Sequence, residues 1–170
     1  MKYFEALGIE PRLTLDASAL QKRFYELSRQ WHPDRFSTRP AAEQELALET
    51  TALLNDAFRT LKDPVTRAEY VLSANGLEVS TQRGKDVPPE LLEEVLEFNM
   101  ALEEADPAEV RRWSEHFSDL LAGIDRELEA LFAAYDAAPG AAMLAPIRAA
   151  LNRRKYISNL VRDSDRTPVA

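Results

Sequence analysis

From Pro107 to Tyr135 the residues Val110, Trp113, Phe117, Leu120, Ile124, Leu128, Leu131 and Tyr135 recur at steps of three and four, in near-heptad register. That spacing predicts a long helix with one apolar stripe, which must be buried against other helices. Composition points the same way: 25 Ala, 23 Leu and 18 Glu stand against 8 Val, 4 Ile and 8 Thr in 170 residues, which excludes a mostly β protein. The expected fold class is all-α. A chain of this length buries about 70% of its unfolded surface and folds unaided, as one domain or two small ones.

Prolines and glycines divide the chain into helical segments. Asp63-Pro64 and Asp106-Pro107 each read as an acidic N-cap followed by proline at the first helical position. Residues 1–8 form at most one short turn. Between Asp16 and Trp31 the positions Leu20, Phe24, Leu27 and Trp31 define a helix that Pro33 ends. A third helix runs from about Pro40 to Leu61 on Leu46, Leu53, Leu54, Ala57, Phe58 and Leu61, and a fourth from Pro64 to Ala74 on Val65, Ala68 and Leu72. The second and third make an antiparallel hairpin.

Periodicity fails between Asn75 and Pro89, where Gly76, Ser80, Thr81, Gly84, Pro88 and Pro89 crowd together. This places an N-terminal domain at 1–75, a linker at 76–88 and a C-terminal domain at 89–170. Three helices follow the linker, over about Pro89–Ala105, Pro107–Tyr135 and Gly140–Asp163, and their short connections predict an antiparallel three-helix bundle. Charge divides with them: residues 1–75 hold 10 basic and 11 acidic groups, residues 76–170 hold 11 and 18.

A net charge of -8 is a poor footprint for binding nucleic acid, which needs phosphates neutralised, so the expected partner is a protein. With no cysteine the chain offers neither disulfides nor thiolate ligands, and no cofactor or metal of its own is expected. The longest apolar stretch, residues 137–147, holds Pro139, Gly140 and Pro146 and falls short of the roughly 20 residues a membrane span needs. No membrane association is expected. The opening residues resemble no secretory or transit leader, which points to the cytoplasm.

His32-Pro33-Asp34 lies in the turn between the two hairpin helices. A histidine and an aspartate two apart raise the question of acid-base catalysis or metal ligation. No nucleophile lies nearby, the only other histidine, His116, is in the C-terminal half at a surface or boundary position, and the intervening proline limits the approach of the two side chains. An enzyme is therefore not expected. Around the tripeptide stand Lys22, Arg23 and Arg29 upstream, and Asn55, Ala57, Leu61, Asp63-Pro64, Arg67 and Tyr70 downstream. This ensemble resembles the J-domain of DnaK-class co-chaperones. The resemblance implies that His32, Pro33, Asp34, Lys22, Arg23 and Arg29 dock on the chaperone and bias it toward ATP hydrolysis. The cations alone read equally as a solvated helix face.

In the fifth helix, at about 100 degrees per residue, Leu91, Val95, Phe98 and Leu102 share one tight stripe, whereas Leu92, Leu96 and Met100 form a second. Glu93, Glu97, Glu103 and Glu104 surround the second stripe. A helix with two apolar faces either packs on two sides within its own chain or carries a docking surface. In the last helix Ile147, Leu151, Ile157 and Val161 share a sector, while Tyr156 points away from Ile147.

Tyr3-Phe4, the run from Arg67 to Ser73, Gly76 and the acidic Leu-rich helix after the linker make nearly the whole chain similar to the HscB-type co-chaperones of iron-sulfur cluster biogenesis. The resemblance implies a J-domain joined to a three-helix bundle that binds the cluster scaffold protein through Leu92, Leu96, Met100 and Tyr156. Glu93 stands where an apolar residue is common, and Tyr156 where Phe is usual. The implied function is an adaptor that delivers the scaffold to a specialised, HscA-type chaperone of the DnaK class and stimulates its ATPase. Two other readings stay open: a general J-domain protein delivering unfolded clients, and a purely structural helical adaptor.

Overall fold

The structure is a computed structural model that describes residues 1–80 and 86–165. Every regular element among them is helical: α1 (Lys2–Leu7), α2 (Ala17–Gln30), a 3₁₀ helix (Pro33–Phe36), α3 (Ala41–Leu61), α4 (Pro64–Ala74), α5 (Pro89–Glu103), α6 (Pro107–Ala137) and α7 (Ala141–Asp165). The chain divides into two compact units, Met1–Leu77 and Glu78–Ala170. Residues 81–85 of the segment read as a linker, and 166–170 of that read as bundle, lie outside the described residues.

Local chemistry sets the helix starts. Asp16 accepts from the Ala19 N–H at 2.7 Å, Asp63 from Val65 and Thr66, and Asp106 from Ala108 and Glu109, so each carboxylate satisfies donors that the first turn leaves open.

In the first unit, α1 is longer than the single turn its sequence suggests, because Phe4 and Leu7 are fully buried and hold it in place. The rings of Tyr3 and Tyr70 stack at 4.6 Å, and the Tyr3 N–H donates to the Tyr70 hydroxyl. The α2–α3 hairpin closes on the stacked rings of Phe24 and Phe58, 4.3 Å apart and 8° from parallel. Leu46, expected in the α3 stripe, is half-exposed, and Ala47 takes the buried position beside it. Arg67 is buried and replaces water for a loop carbonyl and for the last carbonyl of α3: its Nε donates to Leu13 O at 2.8 Å and its Nη1 to Leu61 O at 2.7 Å.

In the second unit, Phe117, Ile124, Leu128, Phe132 and Tyr135 of α6 are buried. Phe132 takes the place expected of Leu131. Phe132 follows Leu128 by four residues and precedes Tyr135 by three, so it continues the buried stripe at helical spacing. On α7, Leu144, Ile147, Ala150, Leu151, Ile157 and Leu160 face the interior. Buried Asn152 accepts from the Ser80 N–H at 2.8 Å and donates to Asp86 at 2.6 Å, tying both residues to α7.

Candidate functional site

Two exposed features stand apart from the packing, one in each unit.

The first is the corner at the end of α2. Pro33 does more than stop the helix: it opens a 3₁₀ turn, a position suited to its fixed φ and missing N–H. His32 is the N-cap of that turn, its Nδ1 accepting from the Asp34 N–H at 3.3 Å. With Nδ1 so used, the neutral ring carries its proton on Nε2, leaving a donor available to a partner. The Asp34 carboxylate is almost entirely in solvent. Behind this pair the frame is stiff: Trp31 and Phe36 stack at 5.7 Å and 3°, Thr51 Oγ1 donates to Trp31 O at 3.0 Å, and Ser37 Oγ donates to Asp34 O at 3.1 Å.

The cations on α2 do not behave alike. Leu20, Phe24, Leu27 and Trp31 mark the inward face, and Lys22 and Arg29 lie opposite it, exposed and in no ion pair among the described residues. Arg23 sits at the boundary. Its Nε donates to Leu7 O at 2.9 Å, tying α1 to α2, and its Nη1 lies 3.8 Å from Glu26. On the same outward face sequence reasoning missed Tyr25, which is 52% exposed and lines an open groove of about 440 Å³ with Ser28, Arg29 and His32. Its signal was there, in the 25–29–32 spacing beside the cations.

The second feature is α5. Leu91, Phe98 and Ala101 are buried, with Val95 and Leu102 at the margin, so the helix seats on the Leu91–Phe98 side. The second stripe is left in solvent: Leu92 is 46% exposed, Leu96 63% and Met100 52%. Around it Glu93, Glu97, Glu103 and Glu104 are exposed. Tyr156, on α7, is half-buried. Its neighbour Ile157 lines a groove with Pro88, Glu90, Leu91 and Glu94, which brings α7 alongside α5. Among the described residues there is no group of acidic and histidine side chains able to hold a metal ion, and no helix is long and apolar enough to cross a membrane.

A helical hairpin carrying a His-Pro-Asp corner next to a basic face defines a J-domain protein; residues 2–70 match the DnaJ domain family, and residues 87–163 match the HSCB C-terminal oligomerisation domain. Among curated proteins, the chain is similar to the co-chaperone protein HscB homologues of Vibrio vulnificus (38% identical over 137 residues, 75% of this chain and 80% of the relative) and Vibrio campbellii (33% over 138 residues, 76% and 81%). Among solved structures it is similar to the chaperone HscB of Vibrio cholerae, with a TM-score of 0.70, 27% identity and coverage of 98% and 96% of the two chains. It is also similar to human co-chaperone HscB, with a TM-score of 0.74, 25% identity and coverage of 97% and 81%. The chain belongs to the HscB family of J-domain co-chaperones.

Proposed function

We propose that this protein is a cytoplasmic adaptor for iron-sulfur cluster biogenesis: its bundle holds the cluster scaffold protein, and its J-domain delivers that scaffold to a DnaK-class chaperone of the HscA type and stimulates the chaperone's ATPase. The observation that carries the reading is the α5 face, where Leu92, Leu96 and Met100 are each about half or more exposed, from 46% to 63%, on a helix already seated by its other side. Side chains so placed are not needed by the fold and are suited to anchoring a partner.

The J-domain, assigned to 1–75, supplies the other contact. His32 offers Nε2–H and Asp34 a carboxylate from a stiff corner, a donor and an acceptor suited to displacing polar contacts inside the chaperone. Lys22 and Arg29 steer the encounter from the outward face of α2, and Tyr25 adds apolar area beside them. Arg23 contributes chiefly by holding α1 to α2. The ATP site belongs to the partner. Because one chain, joined through 76–88, grips both proteins, each is presented to the other at raised effective concentration. The acidic rim of α5 favours a scaffold face that is apolar and ringed by Lys or Arg.

The test is a three-component reconstitution. Immobilised protein is expected to retain purified scaffold and chaperone together, with the scaffold lost selectively on Leu96→Ala and the chaperone selectively on His32→Gln. Retention of neither scaffold nor chaperone by the wild type would sink the proposal.

A further inference from the structure

We propose that His116 is a positioning residue for the docking face of α5, acting through Glu94; the inference rests on the reading of that face as the scaffold-binding surface. The Nε2–H of His116, on α6, donates to Glu94 Oε2 at 2.7 Å. Among the described residues no other side chain of α5 makes a hydrogen bond or ion pair. The helix starts on Pro88, which has no side-chain cap, and its last turn holds no cation.

Everything else that seats α5 is apolar: Leu91, Ala101, and Phe98 in edge-to-face contact with Phe117 at 5.3 Å and 77°. Apolar contact is non-directional and resists a roll of the helix about its axis only weakly, whereas a short hydrogen bond to a carboxylate is directional. Glu94 lies one turn before Phe98, and His116 is the residue before Phe117, so the polar and aromatic contacts together fix α5 at two adjacent points. The imidazole is itself held, edge-on to Trp113 at 5.6 Å. Leu92, Leu96 and Met100 lie well round the helix from Glu94, so any roll that lengthens the Glu94–His116 contact swings all three away from their set direction.

The experiment compares scaffold affinity and amide exchange of α5 in the full-length protein. His116→Ala and Glu94→Ala are each expected to weaken binding of the purified iron-sulfur scaffold protein about three- to fivefold, a range kept small because both side chains are more than a third exposed. The double variant is expected to be no weaker than either single one, and His116→Gln, which keeps a donor for Glu94, to restore most of the affinity. In the free protein, exchange at α5 amides is expected to quicken by a similar factor in the alanine variants and not in His116→Gln.

Additive losses, or a His116→Gln variant as weak as His116→Ala, would overturn the proposal. So would α5 exchange that is unchanged in His116→Ala, a result that needs no scaffold. If the wild type itself fails to bind scaffold, the docking reading falls and this proposal falls with it; if the wild type binds and Leu96→Ala weakens binding while the His116 and Glu94 variants bind at full strength, this proposal alone is overturned.

Discussion

Replacing Leu92 and Leu96 together by alanine separates docking from folding. Burying a whole leucine side chain stabilises by about 1.5–3 kcal/mol. These two are 46% and 63% exposed, so truncation removes only part of that, about 0.5–1 kcal/mol each, and the better helix propensity of alanine returns a few tenths. The pair is therefore expected to cost about 1 kcal/mol, lowering the melting temperature of a unit this size by about 4–8 °C at most. Phe98, 1% exposed and set against Phe117, is the internal comparison: Phe98→Ala is expected to cost about 3–5 kcal/mol. At the interface the ranking reverses. Two apolar anchors worth about 1–2 kcal/mol each weaken scaffold binding by about thirtyfold to several hundredfold. Titration calorimetry against the scaffold and thermal unfolding of the same samples measure both quantities. A double variant that unfolds like Phe98→Ala would show that the leucines belong to the interior; one that stays folded and binds at full strength would show that the partner sits elsewhere.

Other perturbations test the frame and the steering. Arg67→Met leaves the Leu13 and Leu61 carbonyls without their buried donor and is expected to cost the first unit about 2–4 kcal/mol, read by chemical denaturation. Gly8→Ala forces a Cβ into a left-handed position at φ 63, 2.9 Å from Arg23 Nη2, and should lose about 1–2 kcal/mol by the same assay. Raising salt from about 0.1 M to about 1 M contracts the Debye length from about 10 Å to about 3 Å. The association rate with the chaperone is expected to fall steeply over that range in the wild type and much less in Lys22→Ala/Arg29→Ala; equal salt dependence in both would remove these cations from the steering.

Where the physics is local, the sequence was legible. Asp16, Asp63 and Asp106 mark helix starts because a carboxylate reaches N–H groups two or three residues on, a contact already implied by the spacing. The second stripe of α5 was legible for a similar reason, since one helix cannot turn Leu91 and Leu96 to the same side. Tertiary contacts were not legible. Nothing near Phe4 in sequence says that it is wholly buried, and nothing near Leu46 says that Ala47 takes the inward position. Arg23 looks like its neighbour Lys22 until the Leu7 carbonyl is found beside it, and His116 looks like an ordinary boundary residue until Glu94 appears across the helix pair. The 3₁₀ turn at Pro33 was missed because its cap is the His32 ring, a residue with little capping preference.

In the proposed function the His32 corner switches on a chaperone, and that step is read by the steady-state ATPase rate of the purified HscA-type partner, with scaffold present, on adding wild-type protein or His32→Gln. The His32 side chain is exposed, its polar contacts among the described residues are with Asp34, and its backbone carbonyl, which accepts from the Arg35 N–H, is kept in the variant, so the variant is expected to melt with the wild type. Stimulation by the wild type and almost none by the folded variant is the predicted result. Equal stimulation by both proteins, or none by either, would contradict it.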